Sequence, residues 1–160
     1  MTGNCLVAAA FIIEQTPRKL CLSTDTSRAV LLEPCGPTRS AQQWRWTGGR
    51  RLLHVTSSHC LSADPHGLAG GRRAVRLSPC QRAPAWRCSD PSGEGGGGSF
   101  GLAEEPRVYL GTWGTRAVIW YGSRDSNWTR YNEDPDSGGQ QMSLCQAEGE
   151  EAPGFVPIVE

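Results

Sequence analysis

The sequence predicts an all-β fold built from three similar lobes. Three observations carry that expectation: a repeated segment, a tryptophan that recurs at equal intervals, and short β-branched or aromatic runs bounded by turn residues, with no stretch of convincing helical period. The segment is Arg28-Ala29-Val30-Leu31-Leu32-Glu33-Pro34-Cys35, which returns as Arg73-Ala74-Val75-Arg76-Leu77-Ser78-Pro79-Cys80 and, decayed, as Arg116-Ala117-Val118-Ile119-Trp120. Trp44, Trp86 and Trp128 follow the three copies at equal spacing. A unit of about 40 residues is too short to bury its own apolar face, so the three must close on one another.

In the first lobe, Phe11-Ile12-Ile13 reads as a strand, a turn follows at Thr16-Pro17-Arg18, and Leu20-Cys21-Leu22 is the second strand. Ala29 to Leu32 is the third. Pro34 and Gly36-Pro37 break the chain before Gln43-Trp44-Arg45-Trp46, whose two tryptophans share one face by the period of two. The second lobe repeats the plan after Gly48-Gly49: Leu52 to Val55, Cys60 to Ser62, Ala74 to Leu77 and Ala85 to Arg87, with a glycine-rich and mobile hairpin from Asp64 to Gly71. Pro91 to Ser99, with four consecutive glycines, reads as a flexible connection that does not pack. The third lobe holds Phe100 to Leu102, Val108 to Leu110, Ala117 to Tyr121 and Trp128 to Tyr131. Asn132 to Gln141 and Gln146 to Glu160 have no periodicity and read as loop or linker. Twelve short strands with one large aromatic per lobe define a β-trefoil, a six-strand barrel capped by three hairpins, whose closure removes exposed sheet edges. The expected boundaries are a tail over residues 1–10, lobes over about 11–49, 50–90 and 99–145, and a second tail or linker over 146–160.

A chain of 160 residues accommodates one domain of this kind. Its zero formal net charge provides no field to hold a nucleic-acid backbone, so nucleic acid is not an expected partner. Lys19 is the sole lysine; every other fixed cation is arginine, whose donor fork suits sulfate or carboxylate groups. No run approaches the roughly 20 apolar residues of a spanning helix, and no membrane contact is expected. Met1 to Ala10 has no basic residue and runs straight into the first strand, unlike a secretory leader, which suggests a fragment or an altered N-terminus. No nucleophile, base and orienting acid stand at catalytic spacing, so neither catalysis nor a cofactor is expected. His54, His59 and Cys60 imitate a metal cluster, but Cys60 is wanted for a bridge and His59 sits on a turn, so no metal is expected either.

Seven cysteines without a C-x2-C pair point to disulfides and an oxidising compartment. The sequon Asn127-Trp128-Thr129, a glycosylation acceptor, points the same way. Counting alone does not fix connectivity. The repeat places Cys21 and Cys35 where the second lobe has Cys60 and Cys80, so pairs within lobes are expected, leaving Cys88 with Cys145 as a long-range staple and Cys5 as the odd one.

Cys21-Leu22 through Gln42-Gln43-Trp44-Arg45-Trp46 resembles the ricin B-type, or R-type, lectin repeat with its Q-x-W motif. A closer resemblance is to the N-terminal cysteine-rich domain of the mannose-receptor family, which includes the phospholipase A2 receptor. It is carried by Trp44-Arg45-Trp46-Thr47 with Arg51-Leu52-Leu53-His54-Val55, then His59-Cys60-Leu61, Trp86-Arg87-Cys88 and Ser143-Leu144-Cys145, and it spans about residues 11–145. It implies the same three bridges. It also implies a monomeric, noncatalytic recognition domain, secreted or in the extracellular part of a cell-surface receptor, with a glycan or glycoprotein as partner.

Galactose-binding R-type repeats usually carry an aspartate two positions after the lobe's first cysteine; Ser23 and Ser62 stand there, so the first two lobes are expected to be silent in that mode. In the mannose receptor the third lobe binds sulfated N-acetylgalactosamine, and Tyr121-Gly122-Ser123-Arg124-Asp125-Ser126-Asn127-Trp128-Thr129-Arg130-Tyr131 is similar to that region. The resemblance makes Trp128 the stacking ring, with Tyr121 nearby and Ser123, Arg124 or Arg130 bonding a sulfate by charge-assisted contacts. Trp113 is a second candidate rim aromatic. Equal spacing from Trp44 and Trp86 supports the competing reading of Trp128 as a third core tryptophan, and a glycan on Asn127 would crowd it. Two functions therefore stand: recognition of a sulfated or otherwise anionic glycan at the third lobe, or a protein-interaction or spacer trefoil that has lost the sugar site.

Overall fold

A computed structural model describes residues 10–36, 39–67, 72–90, 98–121, 128–132 and 141–145. The first lobe contains β1 (Ile12–Gln15), β2 (Leu20–Thr24), β3 (Val30–Pro34) and β4 (Trp44–Trp46). The second contains β5 (Leu52–His54), β6 (His59–Gly67), β7 (Arg72–Pro79) and β8 (Trp86–Ser89). The third contains β9 (Ser99–Leu102), β10 (Val108–Trp113), β11 (Arg116–Tyr121) and β12 (Trp128–Tyr131). Each of the twelve segments with strand character in the sequence is a strand, and a short β13 (Gln141–Met142) pairs with β12.

The barrel is made by the first and last strands of each lobe. Antiparallel ladders join β1 to β12, β4 to β5 and β8 to β9. Phe11 and Trp44 exchange two backbone hydrogen bonds of 2.9 Å, and Gly98 and Trp128 exchange bonds of 2.7 and 3.1 Å. Between β5 and β8, Arg51 Nε donates to the Ala83 carbonyl at 3.0 Å. The middle strands form the hairpins β2–β3, β6–β7 and β10–β11. Their second strands meet around the axis: β11 pairs with both β7 and β3, and Ala29 bridges to Arg76. The repeated Arg-Ala-Val segments thus lie where the three hairpins meet.

The three tryptophans behave as equivalents. Trp44, Trp86 and Trp128 are buried, and each indole N–H donates to the carbonyl of the central leucine in its lobe's hairpin: Trp44 to Leu22 at 3.0 Å, Trp86 to Leu61 at 3.1 Å, Trp128 to Leu110 at 3.4 Å. Every ring buries its apolar body while its one polar atom is satisfied, as a core indole requires. All three belong to one apolar cluster with Leu22, Leu61 and Leu110. The bridges are Cys21–Cys35, Cys60–Cys80 and Cys88–Cys145. Buried Gln42, the glutamine of the Q-x-W motif, donates to the Pro34 carbonyl and accepts from the Gly36 N–H, both at 2.9 Å, which clamps the chain on either side of Cys35.

The structure corrects four readings of the sequence. Asp64 to Gly67, expected in a mobile hairpin, belong to β6, which continues past a register shift between Ala63 and Gly67, while residues 68–71 of that hairpin lie outside the described residues. Ser99 is not part of an unpacked connection: it is buried in β9, and a Cβ on Gly98 would lie 2.5 Å from both Leu144 Cδ2 and the Ser89 carbonyl. Gln141, read as loop, lies in β13. The third copy of the repeat is also slipped by one residue. Val30 faces Thr24, Val75 faces Ala63, and the residue that takes this place opposite Thr112 is Ala117, not Val118. A slip of one residue reverses the face of a strand, so Ala117 and Ile119 point to the core and Val118 points away from it.

Candidate functional site on the third lobe

Alternation along β10 and β11 sorts their side chains. Leu110 and Ile119 fill the core, which puts Tyr109, Gly111 and Trp113 on the outer face together with Trp120. In the first two lobes the corresponding outer positions carry Cys21 opposite Glu33 and Cys60 opposite Ser78, where the bridges begin. In the third lobe they carry Tyr109 opposite Trp120. An aromatic pair stands where the other lobes have sulfur.

Arg72 completes this face. It lies opposite Trp120 across β7 and β11, and its guanidinium sits 3.5 Å from the Trp113 ring centroid and 5.2 Å from that of Trp120. The two indoles meet edge to face with centroids 5.9 Å apart. Such a cation over an indole is favourable by about 0.5–2 kcal/mol according to its exposure. Gly111 is required beneath it, since a Cβ there would come 2.5 Å from Trp120 Cδ1. Beside Tyr109, Arg87 lies 5.2 Å from the ring centroid, donates to the Leu102 carbonyl at 2.9 Å and the Glu105 carbonyl at 3.1 Å, and covers Gly101. Arg73 pairs with Glu105 at 2.8 Å.

The turn after Trp113 is held from the first lobe. Arg18 donates to the Gly114 carbonyl and to Gln15 Oε1, both at 2.7 Å. Arg116 stands opposite Trp113 and borders a cavity of about 370 Å³ at the meeting of the three repeats, walled by Ala29, Ala74 and Val118. Across that cavity Arg76 is tied to Asp64 at 3.2 Å. Asp25, in the β2–β3 turn, accepts from the Ser27 hydroxyl, and this bond holds its carboxyl below the usual range, assisted by the Ala29 and Ser27 amides and the charge of Arg116.

Of the described residues expected to bind a ligand, two are buried and two are exposed. Trp128 is fully buried and its N–H is committed to Leu110, so its ring offers no face to a sugar; the core reading holds for it. Arg130 is buried at 3% exposure, with its guanidinium 4.4 Å from the Phe11 ring centroid, away from any solvent-borne sulfate. Tyr121 and Trp113 are open, at 68% and 52% exposure. Ser123, Arg124 and Asn127 lie outside the described residues. The sequence reading missed Arg72 and Trp120. The signal available was Trp120 at the place of Glu33 and Ser78, a large apolar ring on an outward position, and it was hidden by the one-residue slip.

His54 belongs to the core. It packs edge-on against Trp44 with centroids 5.0 Å apart, and Nε2 lies 3.0 Å from the Ala41 carbonyl, which can only accept, so Nε2 carries the proton and Nδ1 faces the Ser57 hydroxyl at 2.8 Å. Burial lowers its pKa, opposed by the Ala41 hydrogen bond and reinforced by His59. Cys60, the other member of the apparent cluster, is bridged to Cys80.

This three-bridged β-trefoil is a cysteine-rich domain of the kind found in receptors. The family model for the MRC2-like, N-terminal cysteine-rich domain matches residues 8–90, more than half of the chain and the whole of its first two lobes. The chain belongs to that family, in agreement with the resemblance to the mannose-receptor cysteine-rich domain. No curated protein matches it.

Proposed function

We propose that this chain is a noncatalytic, extracellular recognition domain of a cell-surface receptor, and that its partner is a protein. The observation that carries the choice of partner is the burial of Trp128. Stacking on a sugar needs an open ring face, and the only tryptophan that the family resemblance offers for it is spent on the core. Ser23 and Ser62, in place of the sugar-binding aspartates, leave the first two lobes without that anchor; Ser23 instead donates to Glu33 at 2.7 Å. Three bridges suit an oxidising compartment.

A second reading, an anionic glycan on the third lobe, is favoured by one feature: Trp113 is half open and lies beside Arg72. An array of neutral, sialylated and sulfated glycans, probed with the chain and with Trp113→Ala, separates the two. The protein-partner reading expects no retention. Retention of sulfated glycans that disappears in Trp113→Ala would replace it with the second reading.

A further inference from the structure

We infer that the hairpin tip around Trp113 is a docking surface for an acidic peptide segment of a partner protein, an inference that rests on the protein-partner reading above. Trp113 is 52% exposed at the end of β10, and the turn after it, Gly114-Thr115, is exposed as well. Three arginines stand at this tip: Arg72 with its guanidinium over the ring, Arg18 bonded to the Gly114 carbonyl, and Arg116 as the strand partner of Trp113 across the hairpin. None of the three forms an ion pair within 4 Å among the described residues, although the charge of Arg116 reaches Asp25, whereas Arg73 and Arg76, farther along β7, are paired with Glu105 and Asp64. On a chain of zero formal net charge this is a local excess of positive charge facing solvent.

The groups are also held in place. Arg18 makes two hydrogen bonds of 2.7 Å, and Arg72 is stacked beside two indoles whose packing Gly111 permits. Little side-chain entropy remains to be lost when a carboxylate arrives. Tryptophan and arginine are the side chains that most often dominate a protein interface, and the arginine fork matches a carboxylate in two-point contact. A peptide fits better than a sugar because Arg72 already covers one face of the Trp113 ring and the ring stands on a protruding turn, while sugar and other small-ligand sites are concave. The segment recognised has Asp or Glu on both sides of an apolar residue: the carboxylates reach Arg18 and Arg116, and the apolar side chain packs on the exposed part of Trp113.

Selection of a random-peptide display library on the whole chain tests this. Selected peptides are expected to be enriched in Asp and Glu around one apolar residue. Their binding should fall about tenfold or more in Trp113→Ala and in Arg116→Glu, weaken with added salt, and persist in Arg76→Glu. Near-UV circular dichroism of each variant checks that the fold is intact. Selected peptides without acidic enrichment, or peptides held equally by Trp113→Ala and Arg116→Glu, would overturn the docking surface and leave the protein-partner reading standing. A library that yields no binder overturns it too; if sulfated glycans are retained in the same protein preparation, the protein-partner reading falls with it.

Discussion

Trp128 decides between a structural and a ligand-contacting third lobe, and Trp128→Phe separates the two. The substitution removes the indole N–H that donates to the Leu110 carbonyl at 3.4 Å and part of a fully buried ring packed 6.3 Å, centroid to centroid, from Phe100. The ring atoms lost are worth roughly 2 kcal/mol at about 0.8 kcal/mol per buried methylene equivalent. The lost hydrogen bond adds about 1 kcal/mol. A loss of about 3 kcal/mol lowers the melting temperature by roughly 6–12 °C in a domain of this size. Trp44→Phe and Trp86→Phe should cost at least as much, because their hydrogen bonds are shorter, at 3.0 and 3.1 Å. Urea unfolding with bridges intact, followed by near-UV circular dichroism, measures all three. A Trp128→Phe protein as stable as the parent would refute the core assignment, and with it the argument against a sugar stacked there.

The bridges should differ in worth. Separating Cys88 from Cys145, which are 57 residues apart, should cost about 4 kcal/mol by loop entropy, against about 3 kcal/mol for Cys21–Cys35 at 14 residues, read from denaturation of the paired serine variants. Gly111→Ala should displace Trp120 from Arg72, seen as a change in tryptophan fluorescence and a stability loss of about 1–3 kcal/mol; an unchanged spectrum would contradict the close contact. His54 makes stability depend on pH. Its folded pKa is held below 6.5, so as pH falls through 6.5 the unfolded chain takes up a proton that the folded chain refuses, and stability drops until the folded pKa is passed. His54→Gln should flatten the urea midpoint between pH 7 and about pH 5, with the parent falling over the same window.

Much of the fold was legible because the repeat aligned strands, tryptophans and cysteines at once. Trp44, Trp86 and Trp128 share a spacing because each must reach the same leucine carbonyl in its own lobe, and Cys21 and Cys60 share a place because both start a bridge at the outer edge of a hairpin. The third lobe broke the pattern. Its hairpin has no cysteine pair, and the letter match of Arg116-Ala117-Val118 to the earlier copies is offset by one residue from the match in hydrogen-bond register. The packing of Ser99 escaped the reading for a different reason: composition marks glycine runs as loose, but Gly98 is glycine because Leu144 and the Ser89 carbonyl leave no room for a Cβ.

Local rules therefore determined the strands and the lobes, since alternation and turn chemistry act between near neighbours. Which face a residue takes, and what it meets there, was decided by partners far along the chain. Trp128 went to the core because Leu110 and Phe100 were waiting on that side, and Arg130 followed β12 against Phe11. Trp113 stayed outside and gained Arg72 only when β7 and β11 paired around the axis, a contact that no spacing in the sequence encodes.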